Sequence, residues 1–260
     1  MERKETFNEV AREYDKYRPS YPKPLFIDIV NYASLRTSDR ILEIGCGTGQ
    51  ATSGFVELGY ERITCVERGN ELANLARAKF KDKPGVTVID SEFEAWRSDG
   101  ASFDLAVSGT AFHFIQPQSF GYRKVFDLLR AGGATAFFWT VHVPAFNDVW
   151  NAIRECYNRH APQLDDSNAP SVEAVIGERA DLTLKDGLFH KLEVKTYRWD
   201  DTYTASDYVS LLNTNSRHRL VPEKRRSRLF EEIGETIEKH GGSVVKPQAI
   251  VLFLANKNRY

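Results

Sequence analysis

A glycine-rich stretch at residues 41–50, ILEIGCGTGQ, combines one acid with three alternating glycines after a run of apolar residues. Gly45, Gly47 and Gly49 remove side chains where a strand should turn into a helix, so a ligand can approach the backbone there. Glu43 stands two residues before the turn. A carboxylate at that place repels a pyrophosphate and suits a cationic ligand.

The stretch lacks two known phosphate-binding motifs, which limits the class of ligand that it can bind. A dinucleotide site takes G-x-G-x-x-G, whereas residue 50 is glutamine. A phosphate-binding P-loop needs Gly-Lys-Ser/Thr, which is also absent. A second acid, Glu67, lies 22 residues after Gly45 at the end of the next apolar run, where a carboxylate can accept both hydroxyls of a ribose. An adenosine without phosphates that carries a positive charge fits both acids, and S-adenosylmethionine is such a molecule.

Alternating strand and helix patterns must position these residues. Apolar runs predict five strands in the first half of the chain, at 40–45, 62–67, 86–90, 103–108 and 134–141. Amphipathic or Pro-initiated segments predict helices at 5–17, 22–35, from about 49, 70–80 and 118–130, the last ended by Gly132-Gly133. This alternation is typical of an α/β fold with a doubly wound, Rossmann-like parallel sheet. Beyond Pro144 we expect helical and loop segments, a strand at 192–200, helices at 205–214 and 222–239, and a last strand at 248–256.

Five segments in this order resemble the class I S-adenosylmethionine-dependent methyltransferases. LEIGCGTGQ resembles their motif I and CVERGNELANLARAKF the segment after it; SEFEAW (91–96), FDLAVSGTAFHFI (103–115) and LLRAGGATAFFW (128–139) are similar to their adenine-edge stretch, motif II and motif III. The opening FNEVAREYDKYRPSYP (7–22) resembles the small-molecule branch that includes trans-aconitate methyltransferase, and LLNTNSRHRL (211–220) is a weaker match. The family implies a seven-stranded sheet with an antiparallel last strand and a mainly helical lobe after the fifth strand.

The resemblance also implies a cofactor, S-adenosyl-L-methionine, and roles for particular residues. The glycine backbone would approach the methionine and ribose, Glu43 the methionine amino group, and Glu67 the ribose hydroxyls. Glu92 would face the adenine amino group, and the Phe93 N–H would face the adenine ring. Ser108 and Gly109 would border the methionine and the methyl end. The predicted cofactor-binding set is Glu43, Gly45, Cys46, Gly47, Gly49, Glu67, Arg68, Glu92, Phe93, Ser108 and Gly109.

The sequence patterns indicate the residues that bind the methyl acceptor less clearly than those that bind the cofactor. His113, after the fourth strand, is a packed core histidine, a substrate contact or a general base, and it is the only candidate catalytic residue. The leading segment, in which Arg18 could hold a carboxylate, is expected to close over the cofactor. The predicted substrate-binding set is Tyr14, Tyr17, Arg18, Tyr21, His113, Trp139, Ser216 and His218.

The charge balance, the cysteine spacing and the apolar content of the chain limit the classes of protein to which it can belong. Thirty-five basic residues balance thirty-six acidic ones, which argues against a nucleic-acid or membrane-surface partner. Three widely spaced cysteines form neither a CxxC pair nor a disulfide framework, so we expect no metal and a reducing, cytoplasmic location. The charged N-terminus has no apolar signal region, and no stretch is long enough to span a membrane.

The predicted activity is transfer of a methyl group to a small carboxylate, hydroxyl or amine acceptor by in-line displacement. The alternatives are a non-catalytic S-adenosylmethionine-binding regulatory or partner protein and a nucleic-acid methyltransferase, although residues 108–111 lack the D/N/S-P-P-Y/F motif of the amino-methylating type. The acceptor and the oligomeric state, monomer or homodimer, stay open. The expected organisation is a helical lid segment (1–36), a cofactor-binding core (37–143), a substrate-shaping lobe (144–220) and a closing helix and strand (221–260).

Overall fold

The computed structural model describes residues 10–18, 20–100, 102–164 and 169–258. The start of the predicted helix 5–17 lies outside these residues. The strands are β1 (Ile41–Ile44), β2 (Ile63–Glu67), β3 (Val86–Asp90), β4 (Phe103–Gly109), β5 (Leu129–Val141), β6 (Phe189–Thr204) and β7 (Ser243–Lys257). The helices are α1 (Ala11–Tyr17), α2 (Lys23–Ala33), α3 (Gln50–Glu57), α4 (Asn70–Lys79), α5 (Gln118–Leu128), α6 (Asp148–His160), α7 (Val172–Leu184), α8 (Ala205–Asn213), α9 (Ser216–Arg219) and α10 (Glu223–Lys239).

Across the described residues the strands form a seven-stranded sheet in the order β3-β2-β1-β4-β5-β7-β6. Strands β1 to β5 pair in parallel, and β7 runs antiparallel to its neighbours. All four residues of β1 are buried, as expected for a strand covered on both faces. The predicted Rossmann-like fold with an antiparallel last strand is therefore confirmed. The strand order reverses between β1 and β4, and the carboxyl ends at such a switch point are where open α/β sheets bind ligands.

The chain divides into two compact units. Of the described residues, those within Ser20–Val141, Val172–Tyr197 and Ile250–Tyr260 form the sheet unit. Those within Met1–Pro19, His142–Ser171 and Arg198–Ala249 form the helical unit. The division of the chain at residues 36, 143 and 220 stays a prediction. No helix in the described part of the chain combines the length and apolarity needed to cross a membrane.

Each unit has its own apolar core. In the sheet unit, Phe112 and Phe137 stack with ring centroids 4.1 Å apart and pack among buried residues that include Leu42 and Phe253. In the helical unit, α10 buries Leu229, Ile233 and Ile237 at a spacing of four residues, as its sequence pattern predicts.

One predicted boundary is wrong. Gly132 and Gly133 do not end a helix, because α5 already ends at Leu128 and both glycines lie inside β5. Leu129 pairs with Phe103 and Ala134 with Leu105, so the β5 chain bulges between these pairs. Gly132, with φ +75°, supplies the left-handed conformation within this bulge.

Candidate active site

The glycine turn joins the carboxyl end of β1 to the start of α3. Gly45, Gly47 and Gly49 all have positive φ, at 69°, 57° and 88°. A Cβ on Gly45 would lie 2.5 Å from the Ala111 Cβ, and one on Gly49 would lie 2.4 Å from Cε2 of Phe80. The turn therefore needs glycine both for its backbone conformation and for close packing.

Glu67, the last residue of β2, is held against this turn. Its Oε2 accepts a hydrogen bond from the Gly47 N–H at 2.9 Å, and its Oε1 accepts one from the Gly69 N–H at 2.7 Å. Burial raises the pKa of the carboxyl, and these backbone donors oppose the rise. Because a carboxylate offers about four acceptor positions, it can accept a hydroxyl in addition to these amides.

Glu43 lies in the middle of β1 and is 1% exposed. Its Oε2 accepts a hydrogen bond from the Thr52 hydroxyl at 2.6 Å. Burial raises the pKa of Glu43 to about 8, with a further contribution from the charge of Glu67, while the Thr52 hydrogen bond acts in the opposite direction. The acid is thus largely protonated at neutral pH, and a positive charge placed beside it would draw off that proton. Thr52 carries no motif signal in the sequence.

The chemistry of this donor set fits an adenosyl sulfonium ligand. Two carboxyl groups, Glu43 and Glu67, lie on adjacent strands β1 and β2 beside the glycine turn at the switch point. Such a set favours hydroxyls and a cation, whereas it disfavours a pyrophosphate. The cofactor S-adenosylmethionine matches these requirements.

The segment after β3 is held by a lysine that the sequence did not single out. Lys124, on α5, lies over the Phe93 ring at 4.8 Å and donates hydrogen bonds to the carbonyls of Phe93 and Trp96. Glu92 forms an ion pair with Arg68 at 3.2 Å, which links the ends of β2 and β3. The structure thus brings together three residues of the predicted cofactor-binding set, Arg68, Glu92 and Phe93.

The side chains of Ser108 and Cys46 both interact with neighbouring groups inside the protein. The Ser108 hydroxyl is fully buried and donates to the Ile44 carbonyl at 2.8 Å, which ties β4 to β1. That Ser108 borders the methionine and methyl end of the cofactor stays a prediction. The neighbouring Cys65 thiol and burial raise the pKa of Cys46, so its thiol is not prepared as a nucleophile. At Gly109, a Cβ would lie 2.7 Å from Cε2 of Phe138.

His113 lies in a short 3₁₀ helix, Phe112–Phe114, after β4. The Trp139 indole N–H donates a hydrogen bond to its Nδ1 at 3.2 Å. A neutral imidazole that accepts at Nδ1 carries its proton on Nε2, so this nitrogen is a donor. Trp139 itself is buried and packs against Phe253 at 5.5 Å between ring centroids. Its contact with the acceptor stays a prediction.

The other predicted acceptor residues lie in both units. Tyr21, in the sheet unit, packs edge-on against Phe138 at 4.8 Å. In the helical unit, Arg18 donates from Nε to the Thr214 hydroxyl and from Nη2 to the Thr214 carbonyl, both at 3.0 Å, so its guanidinium is already engaged. Tyr14 lies beneath the Arg18 guanidinium at 5.0 Å, and Lys16 lies over the Tyr17 ring at 4.7 Å. That this leading segment closes over the cofactor stays a prediction.

Ser216 and His218 are both buried in α9 of the helical unit. His218 lines a cavity there together with residues of α6 that the sequence analysis did not identify. No motif marks those α6 residues, because their common position depends on the packing of segments about sixty residues apart.

Comparison with known proteins supports the assignment of S-adenosylmethionine as the cofactor. The family model described as a methyltransferase domain matches residues 41–133, which include the glycine turn and Glu67. An uncharacterized methyltransferase of Schizosaccharomyces pombe is 22% identical and aligns with 90% of this chain and 87% of its own length.

Two solved structures share the fold. A putative type II methyltransferase from Anaeromyxobacter dehalogenans has a TM-score of 0.61 at 21% identity, over 93% of this chain and 97% of that one. Phosphoethanolamine N-methyltransferase 2 of Haemonchus contortus, in complex with phosphomonomethylethanolamine and S-adenosylhomocysteine, has a TM-score of 0.58 at 14% identity. That match covers 97% of this chain and 58% of the longer protein.

Proposed function

We propose that this chain, which belongs to the class I S-adenosylmethionine-dependent methyltransferases, methylates a small-molecule acceptor and holds its cofactor at the glycine turn of the sheet unit. The observation that carries the proposal is the Glu67 carboxylate, fixed by the N–H groups of Gly47 and Gly69 at the end of β2. The balanced charge of the chain favours a small acceptor over a nucleic acid.

The residues of the sheet unit have distinct roles in this proposal. Glu67 accepts the ribose hydroxyls, Glu43 neutralises the amino group of the methionine portion, and the backbone of the glycine turn contacts the ligand. Phe93 and Glu92 recognise the adenine, with Lys124 and Arg68 as positioning residues. When bound, the cofactor supplies a methyl group on a sulfonium, which is electrophilic without further activation. The protein therefore has to align the acceptor and exclude water.

His113 binds the acceptor in this proposal rather than deprotonating it. Its Nδ1 accepts from Trp139, so its Nε2 carries a proton and can donate to an oxygen of the acceptor. A carboxylate or a free amine needs no general base for methyl transfer, which is consistent with a donor at this position. A hydroxyl acceptor would need the opposite tautomer, and Trp139 disfavours it.

The proposal is tested by titrating the protein with S-adenosylhomocysteine in a calorimeter. The substitution Glu67→Gln replaces one acceptor oxygen with an amide that faces backbone N–H groups, so binding should weaken by about 1–3 kcal/mol, or roughly 5- to 150-fold. Glu57→Gln, at an exposed position on α3, is the matched control and should bind like the wild type. Equal affinity of Glu67→Gln and wild type, with both proteins folded by circular dichroism, would refute the ribose assignment.

Catalysis is tested separately by screening small carboxylates, phenols and amines for product with a methyl-labelled cofactor. Turnover of any of these acceptors supports the small-molecule assignment. Tight cofactor binding with no turnover across the screen would favour the regulatory alternative.

A further inference from the structure

The helical unit contains a cavity of about 210 Å³ whose wall combines aromatic rings with cations. Trp150, Tyr157 and Tyr208 supply the aromatic surface, and Arg154, Arg217 and Lys246 supply positive charge. None of the described residues that line the cavity is an aspartate or a glutamate. An apolar wall with a few convergent groups of one charge is the usual composition of a small-molecule site.

The two arginines of this cavity make hydrogen bonds to neutral oxygens. Arg154 donates to the Ala145 carbonyl at 2.9 Å and to Oδ1 of Asn151 at 2.6 Å, and Arg217 donates to the Gln163 carbonyl at 3.2 Å. Neutral acceptors orient a guanidinium without cancelling its charge. Both arginines therefore retain positive charge that an anion in the cavity can neutralise.

His218 provides an independent observation in the same wall. Its Nε2 pairs with the Tyr157 hydroxyl at 2.8 Å, while its Nδ1 is buried without a hydrogen-bond partner among the described residues. Burial, together with the charges of Arg217, Arg18 and Arg226, holds the pKa of His218 at about 3. The ring is therefore neutral, and the surrounding potential is positive. His218 therefore adds no negative charge to the wall, and it leaves one buried polar atom unpartnered, which is unusual in a folded protein.

The volume limits the size of that ligand. Pockets that bury drug-sized ligands measure about 300–1,000 Å³. The cavity of about 210 Å³ lies below this range, so it suits a ligand smaller than a nucleotide. The aromatic wall disfavours a bare inorganic anion, and the arginines disfavour a cation.

We propose that this cavity is a binding site for a small organic carboxylate with an aromatic or apolar body. The carboxylate lies among Arg154, Arg217 and Lys246, and the body lies against Trp150, Tyr157 and Tyr208. The proposal concerns binding alone and does not depend on methyl transfer, so it stands or fails independently of the proposed function.

Calorimetric titration of the full chain without cofactor tests this site, with benzoate as the probe. Benzamide, the neutral analogue of the same shape, and inorganic phosphate, the anion without an apolar body, are the comparison ligands. We expect benzoate to bind at least 10-fold more tightly than either. Equal binding of benzamide would overturn the role of charge, equal binding of phosphate would overturn the role of the apolar wall, and no benzoate binding would overturn the site.

Variants then locate the binding. Arg154→Gln and Arg217→Gln should each weaken benzoate binding about 10-fold or more, because a hydrogen bond to a charged group contributes roughly 1.5–3 kcal/mol. Arg225→Gln, exposed on α10 outside the cavity, is the matched control and should leave benzoate affinity unchanged. Unchanged affinity in both cavity variants would place any benzoate elsewhere and refute the proposal. Circular dichroism and S-adenosylhomocysteine affinity of each variant show whether the protein is still folded.

Discussion

The burial of Glu43 in β1 leads to a quantitative prediction about the free energy of unfolding. Glu43 is 1% exposed, and its pKa lies at about 8 instead of its ordinary 4.5. One pKa unit corresponds to 1.36 kcal/mol, so this difference amounts to about 5 kcal/mol. The substitution Glu43→Gln keeps the shape of the protonated acid and an acceptor oxygen for Thr52, but it removes the titration.

The direction of the pH effect follows from proton binding. Between pH 4.5 and about 8 the folded protein holds a proton on Glu43 that the unfolded chain has released. Folding therefore takes up a proton, and the free energy of unfolding falls as the pH rises through this window. Above about pH 8 both states are ionised, and the contribution is constant.

We expect Glu43→Gln to be close to wild type in stability at pH 5 and more stable at pH 8 by up to about 5 kcal/mol. Urea unfolding at pH 5, 6, 7 and 8 measures the difference. Substituting Trp150 and Trp199 by phenylalanine in both proteins leaves Trp96 and Trp139, which lie in the sheet unit, as the fluorescent reporters. Parallel pH profiles for the two proteins would refute the assignment of a buried, protonated Glu43, and Glu57→Gln controls for removal of a surface acid.

Two further substitutions test the site geometry. Gly45→Ala should destabilise the protein by about 2–5 kcal/mol, because it combines a strained positive φ with a contact of 2.5 Å to the Ala111 Cβ. Gly100→Ala, with φ +89° and no atom within 4 Å of its Cβ, isolates the conformational part and should cost about 1–2 kcal/mol; equal losses in urea unfolding would argue against the close packing. Trp139→Phe removes the donor to His113 and should abolish the preference for the Nε2–H tautomer, which long-range ¹H–¹⁵N NMR of the imidazole detects; an unaltered tautomer would show that another contact sets it.

Local patterns were sufficient to predict a cofactor site at the carboxyl edge of the sheet. The three glycines and the two acids lie close to the carboxyl ends of consecutive parallel strands, so their spacing along the chain already determines that they meet at one edge. The sequence did not predict how deeply Glu43 is buried or that it contacts Thr52. Both depend on how α3 packs on the sheet rather than on the residues of β1.

Errors arose where long-range contacts override local preference. Two adjacent glycines after a helix usually mark its end. Here β5 pairs with β4, and Gly132 and Gly133 lie in the bulged part of β5 instead. Ser108 and Trp139 show what the sequence alone does not reveal, because their hydrogen bonds to the Ile44 carbonyl and to His113 join residues that are distant along the chain. Their contacts with the cofactor and the acceptor stay predictions.

The sequence by itself determined the fold class and the cofactor, because these are encoded in short motifs on neighbouring parallel strands. Only the tertiary structure decided the state of His113 and the composition of the cavity in the helical unit. A tautomer depends on which hydrogen-bond partner packs against the ring. The cavity draws Arg154 from α6 and Arg217 from α9, whose proximity results from helix packing and has no periodic signature in the chain.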